Sequence, residues 1–186
     1  ATVCDEVYRT LMKMRWQPSL QIIPHYESEP LYIQAIVNSI NHKLNSINWK
    51  PDLILASYHG IPKKYFDKGD PYHCYCHKTS RLIKETFDKD IPILTTFQSR
   101  FGPQEWLQPY TDKTLENLPK EGKKNILVIS PGFSSDCVET LEEISIQGKE
   151  SFLESGGEKF DTIPCLNDNE DHIKLLVHLI SKSIIK

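Results

Sequence analysis

The stretch Ser57-Tyr58-His59-Gly60-Ile61-Pro62 constrains the fold of this chain most, because the apolar run Leu53-Ile54-Leu55-Ala56 delivers a histidine straight into a Gly/Pro turn. A short apolar run bounded by turn formers reads as a buried strand, and in an open parallel sheet ligands bind beyond the strand carboxyl ends. His59 is therefore expected at that rim, where an imidazole can accept a proton near neutral pH or bind a borderline metal. A histidine whose ring nitrogens only tie down the turn would leave the same trace in the sequence.

Short apolar runs alternate with longer amphipathic ones along the chain. Strands are expected at Leu20 to Pro24, Leu53 to His59, Ile91 to Ser99, Asn125 to Ser130 and Phe160 to Leu166. Helical patterns lie near Thr2 to Met14, Pro30 to Leu44, Tyr75 to Phe87, Thr111 to Leu118, Asp136 to Glu154 and Asp168 to Ile185. In the last of these, Ile173, Leu176, Val177, Ile180 and Ile184 share one apolar face suited to closing a core. The alternation predicts an α/β fold, a parallel sheet of about four to five strands with helices on both faces.

Composition narrows the function classes. With 186 residues, 39% hydrophobic and 25% charged, the chain is expected to bury one core as one domain. The net charge is -3 and its Lys and Arg residues are scattered, which argues against nucleic acid as a partner. No apolar run approaches the roughly 18 residues of a membrane span. Five cysteines, an odd number with no secretory cue at Ala1, read as reduced thiols in the cytoplasm. The first helical pattern starts at once, with Val3, Val7 and Leu11 spaced to cover a core and no lead-in residues. That suggests a fragment from which something upstream has been removed.

A second candidate site follows the run Ile126-Leu127-Val128-Ile129 and the turn Pro131-Gly132-Phe133. Here Ser134-Ser135-Asp136-Cys137-Val138-Glu139 opens a helix, and Asp136 and Glu139, three apart, share a face at a strand carboxyl end. First-turn acids also serve as a capping box or favour the positive end of the helix dipole. Histidine facing carboxylates suits Fe²⁺, or a base with a proton relay. His73-Cys74-Tyr75-Cys76-His77 crowds four potential metal ligands together, but the spacing is not that of a zinc finger and no remote second pair is evident. It reads as the loop and first turn of a helix. Gly156-Gly157-Glu158-Lys159 lacks the form of a phosphate loop and reads as a turn.

Several segments together resemble the C-terminal half of bacterial ferrochelatases: Ser57 to Pro62, Gly69-Asp70-Pro71-Tyr72, Thr96-Phe97-Gln98-Ser99-Arg100-Phe101-Gly102 with Glu105-Trp106-Leu107, and Phe133 through Asp136 to Glu139. The match runs in order from about Arg15-Trp16-Gln17-Pro18 to the closing helix, so it covers nearly the whole chain. The resemblance implies insertion of Fe²⁺, the substrate metal, into protoporphyrin IX as the last step of protohaem synthesis. It also implies a chelatase fold of two similar domains with the porphyrin between them. Residues 1–186 would be the C-terminal domain, and the family's N-terminal domain would be absent. By position, His59 and Glu139 match the family's active-site residues at the metal and proton-transfer site, with Asp136 beside them as a third catalytic residue. Ser99, Trp106 and Phe133 match positions facing the porphyrin. Cys137 stands where many relatives carry a second histidine, which removes one ligand near Glu139. The chain ends at Lys186 without the Cys-rich extension that holds a [2Fe-2S] cluster in some members, so no cluster is expected. The lone domain is expected to fold without catalysing. Its open cleft wall favours self-association, and collecting an apolar substrate leaves room for a peripheral membrane contact. A chelatase for another tetrapyrrole and a non-enzymatic metal- or haem-binding module are the alternative readings.

Overall fold

A computed structural model describes residues 2–184 of the chain. Four strands, β1 (Leu53–His59), β2 (Ile93–Gln98), β3 (Asn125–Ile129) and β4 (Lys159–Ile163), form one parallel sheet in the order β2-β1-β3-β4. The helices are α1 (Thr2–Leu11), α2 (Pro30–Ser46), α3 (Lys63–Asp67), α4 (Tyr72–Thr86), α5 (Thr111–Asn117), a 3₁₀ turn (Leu118–Glu121), a π-helix (Glu139–Gly148) running into α6 (Lys149–Glu154), and α7 (Glu170–Ile184). Among the described residues no helix is long and apolar enough to cross a membrane.

The central strands β1 and β3 are apolar almost throughout because both faces of a parallel sheet are covered. Successive residues point to opposite faces. Ile54, Ala56, Tyr58, Leu127 and Ile129 enter a core closed by α2, α4 and α7 through residues such as Ile36, Ile40, Ile83 and Leu175. Leu53, Leu55, Ile126 and Val128 enter a second core closed by Leu115, Ile144 and Phe152. The α/β architecture with helices on both faces is the one expected, with four strands.

Three local expectations fail. Leu20 to Pro24 forms no strand; the segment crosses the surface, with Leu20 and Ile22 exposed, and Gln21 Nε2 donates to the Ser183 carbonyl at 2.6 Å. The apolar stripe of α7 does not close the core: Ile173, Val177, Ile180 and Ile184 are exposed, and His172, Leu175 and Leu179 face inward. A polar anchor decides this rotation. The His172 backbone N–H donates to Asn169 Oδ1 at 2.8 Å, and its Nδ1 lies 2.5 Å from the Asn167 carbonyl, so the histidine end of the helix is pinned inward. On α1, Val3 and Val7 are exposed rather than seated in a core. The His73 to His77 segment lies inside α4, which starts earlier than expected, at Tyr72.

Gly157 marks the tightest packing in the second core. A Cβ there would stand 2.2 Å from Cε1 of Phe152, a fully buried ring held against Phe160 at 5.8 Å between centroids. Gly157→Ala is expected to lower stability by about 1–3 kcal/mol through overpacking, read as a drop in the urea midpoint at unchanged m-value. An unchanged midpoint would show that Phe152 can yield.

Candidate functional site

The site grows from the carboxyl ends of β1, β2 and β3. The chain leaves β1 for β2 on one side and later pairs β3 on the other, so the strand order reverses between β1 and β3, where open α/β sheets hold ligands. The β1–β3 pairing stops at Ala56 with Ile129, whereas β1 stays paired with β2 as far as His59 with Gln98. The rim is stepped, and His59 stands above the end of β3.

His59 is half-buried, and its Nδ1 lies 2.6 Å from the Gly60 carbonyl. A carbonyl only accepts, so Nδ1 carries the proton and Nε2 is left as the basic or metal-binding nitrogen. The backbone is fixed as well: the Tyr72 hydroxyl donates to the His59 carbonyl at 2.9 Å, and Gly60 N–H donates to the Gln98 carbonyl at 2.8 Å. Gly60 must lack a side chain, since a Cβ would sit 2.9 Å from the Gln98 carbonyl oxygen and 3.2 Å from the Trp106 ring. Trp106 packs on that glycine and donates Nε1–H to the Phe101 carbonyl at 3.1 Å. The Phe133 ring lies 6.2 Å from the His59 ring, centroid to centroid.

Glu139 heads the π-helix, half-buried. The Cys137 thiol and its own backbone N–H bond to its carboxylate, and with the nearby His59 they hold it below the usual carboxylate range. His59 is thus near enough for its charge to bear on Glu139. Asp136 turns toward the loop after β4. Burial pushes its carboxyl up, but Asn167 Nδ2 (2.7 Å), Cys165 N–H (3.2 Å) and the Thr140 hydroxyl (3.1 Å) more than offset this, and it is held below its ordinary range. Asn167, in the left-handed region at φ 47, also accepts from Asp136 N–H at 2.9 Å. The hydrogen bonds of Asp136 therefore tie the start of the π-helix to the β4–α7 connection, and the helix carries no side-chain cap.

Sequence reasoning missed Glu143 and Gln98. Ser99 donates its backbone N–H (2.6 Å) and its hydroxyl (2.5 Å) to the Glu143 carboxylate, and Gln98 Nε2 lies 3.4 Å from it. The spacing of Glu139 and Glu143 was visible, but nothing in local propensity marks a π-helix, which is rare and concentrates at functional sites. On α4 the rings of His73 and His77 lie 4.4 Å apart, Cys74 is exposed, and Cys76 is buried with its thiol pushed up to about 12 by desolvation. Among the described residues no group of three or more His, Cys, Asp or Glu side chains converges to hold a metal.

The Ferrochelatase family profile matches residues 1–184. The chain is similar to the ferrochelatases of Allorhizobium ampelinum and Rhizobium meliloti, each 55% identical over 185 residues, 99% of this chain and 54% and 55% of theirs. It is 49% identical to the ferrochelatase of Agrobacterium fabrum, again over 99% of this chain and 54% of that protein. The chain spans about half the length of these curated relatives.

The Asp136 anchor has a pH signature. A carboxyl held below its unfolded value stabilises the fold above that unfolded pKa, about 4, and the contribution is lost as pH falls through the folded value. Asp136→Asn is expected to cost about 1–3 kcal/mol at pH 7 and to flatten the fall in melting temperature below pH 4. Parallel melting-temperature profiles for variant and wild type would remove Asp136 from the acid transition.

Proposed function

Because the chain belongs to the ferrochelatase family, we propose that it forms one wall of a cleft in which Fe²⁺ is inserted into protoporphyrin IX to give protohaem. The observation that supports this reading is that His59 and Glu139 stand on neighbouring elements at the reversal of strand order, a nitrogen left free for a proton or metal and an ionised carboxylate within its electrostatic reach. The remaining half of the relatives' length supplies the opposite wall.

The chemistry asks for this pair. Free-base porphyrin enters with two protons on pyrrole nitrogens and leaves as the iron complex, so two protons depart as the metal takes their place. His59 Nε2 accepts one of them, since Nδ1 is committed to Gly60 and only Nε2 has a free lone pair, and the second proton passes to solvent in the cleft. Glu139 stays ionised through the neutral range and draws Fe²⁺ toward the ring face. Asp136 acts beside it through the helix start that it anchors. Phe133 beside the His59 ring, Trp106 against Gly60 and Ser99 just past the end of β2 would line the porphyrin side. A planar ring screens its nitrogen lone pairs, and edge contacts that favour a puckered ring lower the barrier by about 1–5 kcal/mol.

In the complete gene product, His59→Ala is expected to reduce haem formation by about 100-fold or more, while the melting temperature changes little because the ring sits at the rim. Anaerobic assay of haem absorbance after mixing with Fe²⁺ and protoporphyrin IX reads the rate directly. Glu139→Gln keeps shape and removes charge, with a similar expected fall in kcat. Full turnover in folded His59→Ala would sink the assignment.

A further inference from the structure

Gln98 is the last residue of β2 and is 2% exposed, yet its side chain is held among polar partners rather than in an apolar core. Its Oε1 accepts from the Ser57 hydroxyl at 2.7 Å; Ser57 in turn meets the Thr111 hydroxyl at 2.9 Å, and Thr111 bonds Thr96 at 2.9 Å. All three hydroxyl residues are buried. The amide has one permitted orientation. On its other side stand the Glu139 backbone carbonyl, 2.8 Å from Nε2, and the Glu143 carboxylate at 3.4 Å, both able only to accept.

The next residue tightens the hold. Ser99 lies at φ 64, a left-handed conformation costly for a residue with a side chain, and in it both its N–H and its hydroxyl reach Glu143. The end of β2 therefore grips the π-helix at residues 139 and 143. Extended π-helical backbone is uncommon, and an anchor outside the helix can fix where its first turn sits.

Resting on the chelatase reading above, we propose that Gln98 is a positioning residue for metal insertion: it fixes the height and rotation of the first π-helical turn, and so the reach of Glu139 toward His59. It acts through the Glu139 carbonyl and touches neither metal nor porphyrin. Displacement of a reacting group by about 1 Å costs on the order of 100-fold in rate.

The test compares Gln98→Met, which keeps the volume and removes both amide bonds, with Thr111→Val, which breaks the same buried network away from the π-helix. Both are made in the complete gene product and assayed anaerobically with Fe²⁺ and protoporphyrin IX. Gln98→Met is expected to lower kcat by about 100-fold with porphyrin KM within about two-fold, whereas Thr111→Val loses comparable thermal stability and keeps kcat within about three-fold. Amide exchange over residues 139–144 is expected to quicken in Gln98→Met alone. Should Gln98→Met not fold, Gln98→Glu keeps the Ser57 bond and loses the donor, and the same pattern is expected of it. Wild-type kcat in a Gln98 variant, or equal loss of kcat in both network variants, overturns the proposal while leaving the chelatase reading intact. If the wild-type protein inserts no metal, that reading fails by itself. The exchange comparison then decides: unchanged exchange at 139–144 overturns the role of Gln98, and selective quickening upholds its hold on the helix.

Discussion

Polar groups at the carboxyl ends of buried strands must find partners, and that requirement organises the functional end of this molecule. A buried hydroxyl or amide without a hydrogen bond costs about 1–3 kcal/mol, so each such group is an instruction about what must lie beside it. Ser57 in β1, Thr96 and Gln98 in β2 and Thr111 at the start of α5 are all buried, and among the described residues no buried side-chain nitrogen or oxygen is left unpartnered. The network that satisfies them ends on the π-helix. Gln98 is the member of that network that joins buried polarity to the placement of Glu139.

The histidine side follows a parallel logic with different groups. Gly60 permits backbone contact with Gln98 and a ring contact with Trp106, and the Tyr72 hydroxyl holds the His59 carbonyl. Each bond constrains backbone rather than the imidazole itself, so the ring keeps its Nε2 for chemistry while its own main chain is immobilised. Around the same rim the Tyr58 hydroxyl bonds Ser80 at 2.9 Å, and desolvation pushes it well above the ordinary phenol range. Such buried phenols remain neutral and act as fixed struts.

Much of this was legible in the residues. The run Leu53 to Ala56 followed by His-Gly announced a strand and its rim residue, and β1 spans Leu53–His59 as expected. The alternation of short and long periods announced the layered sheet. What was hidden depended on partners far away in sequence. The face of α7 was decided by His172 and the loop residues Asn167 and Asn169 rather than by the stripe of Ile173, Val177 and Ile180, whose spacing alone would favour burial. The π-helix depends on contacts from β2, and Asp136 on Asn167, thirty-one residues away. A local pattern reports propensity, and these outcomes were set by tertiary hydrogen bonds.

The two cores have a consequence for how such a site can change over time. His59 rides on the sheet, whereas Glu139 rides on a helix laid over one face and seated through Ile144 on Leu55, Ile126 and Val128. The gap between His59 and Glu139 therefore depends on packing in the second core as well as on the polar anchors at the start of the π-helix. Trimming or adding a methyl group there would slide one member of the pair while the first core, with α2, α4 and α7, holds the other in place. The distance between these two side chains thus has an adjustment available to it that leaves both residues themselves unaltered.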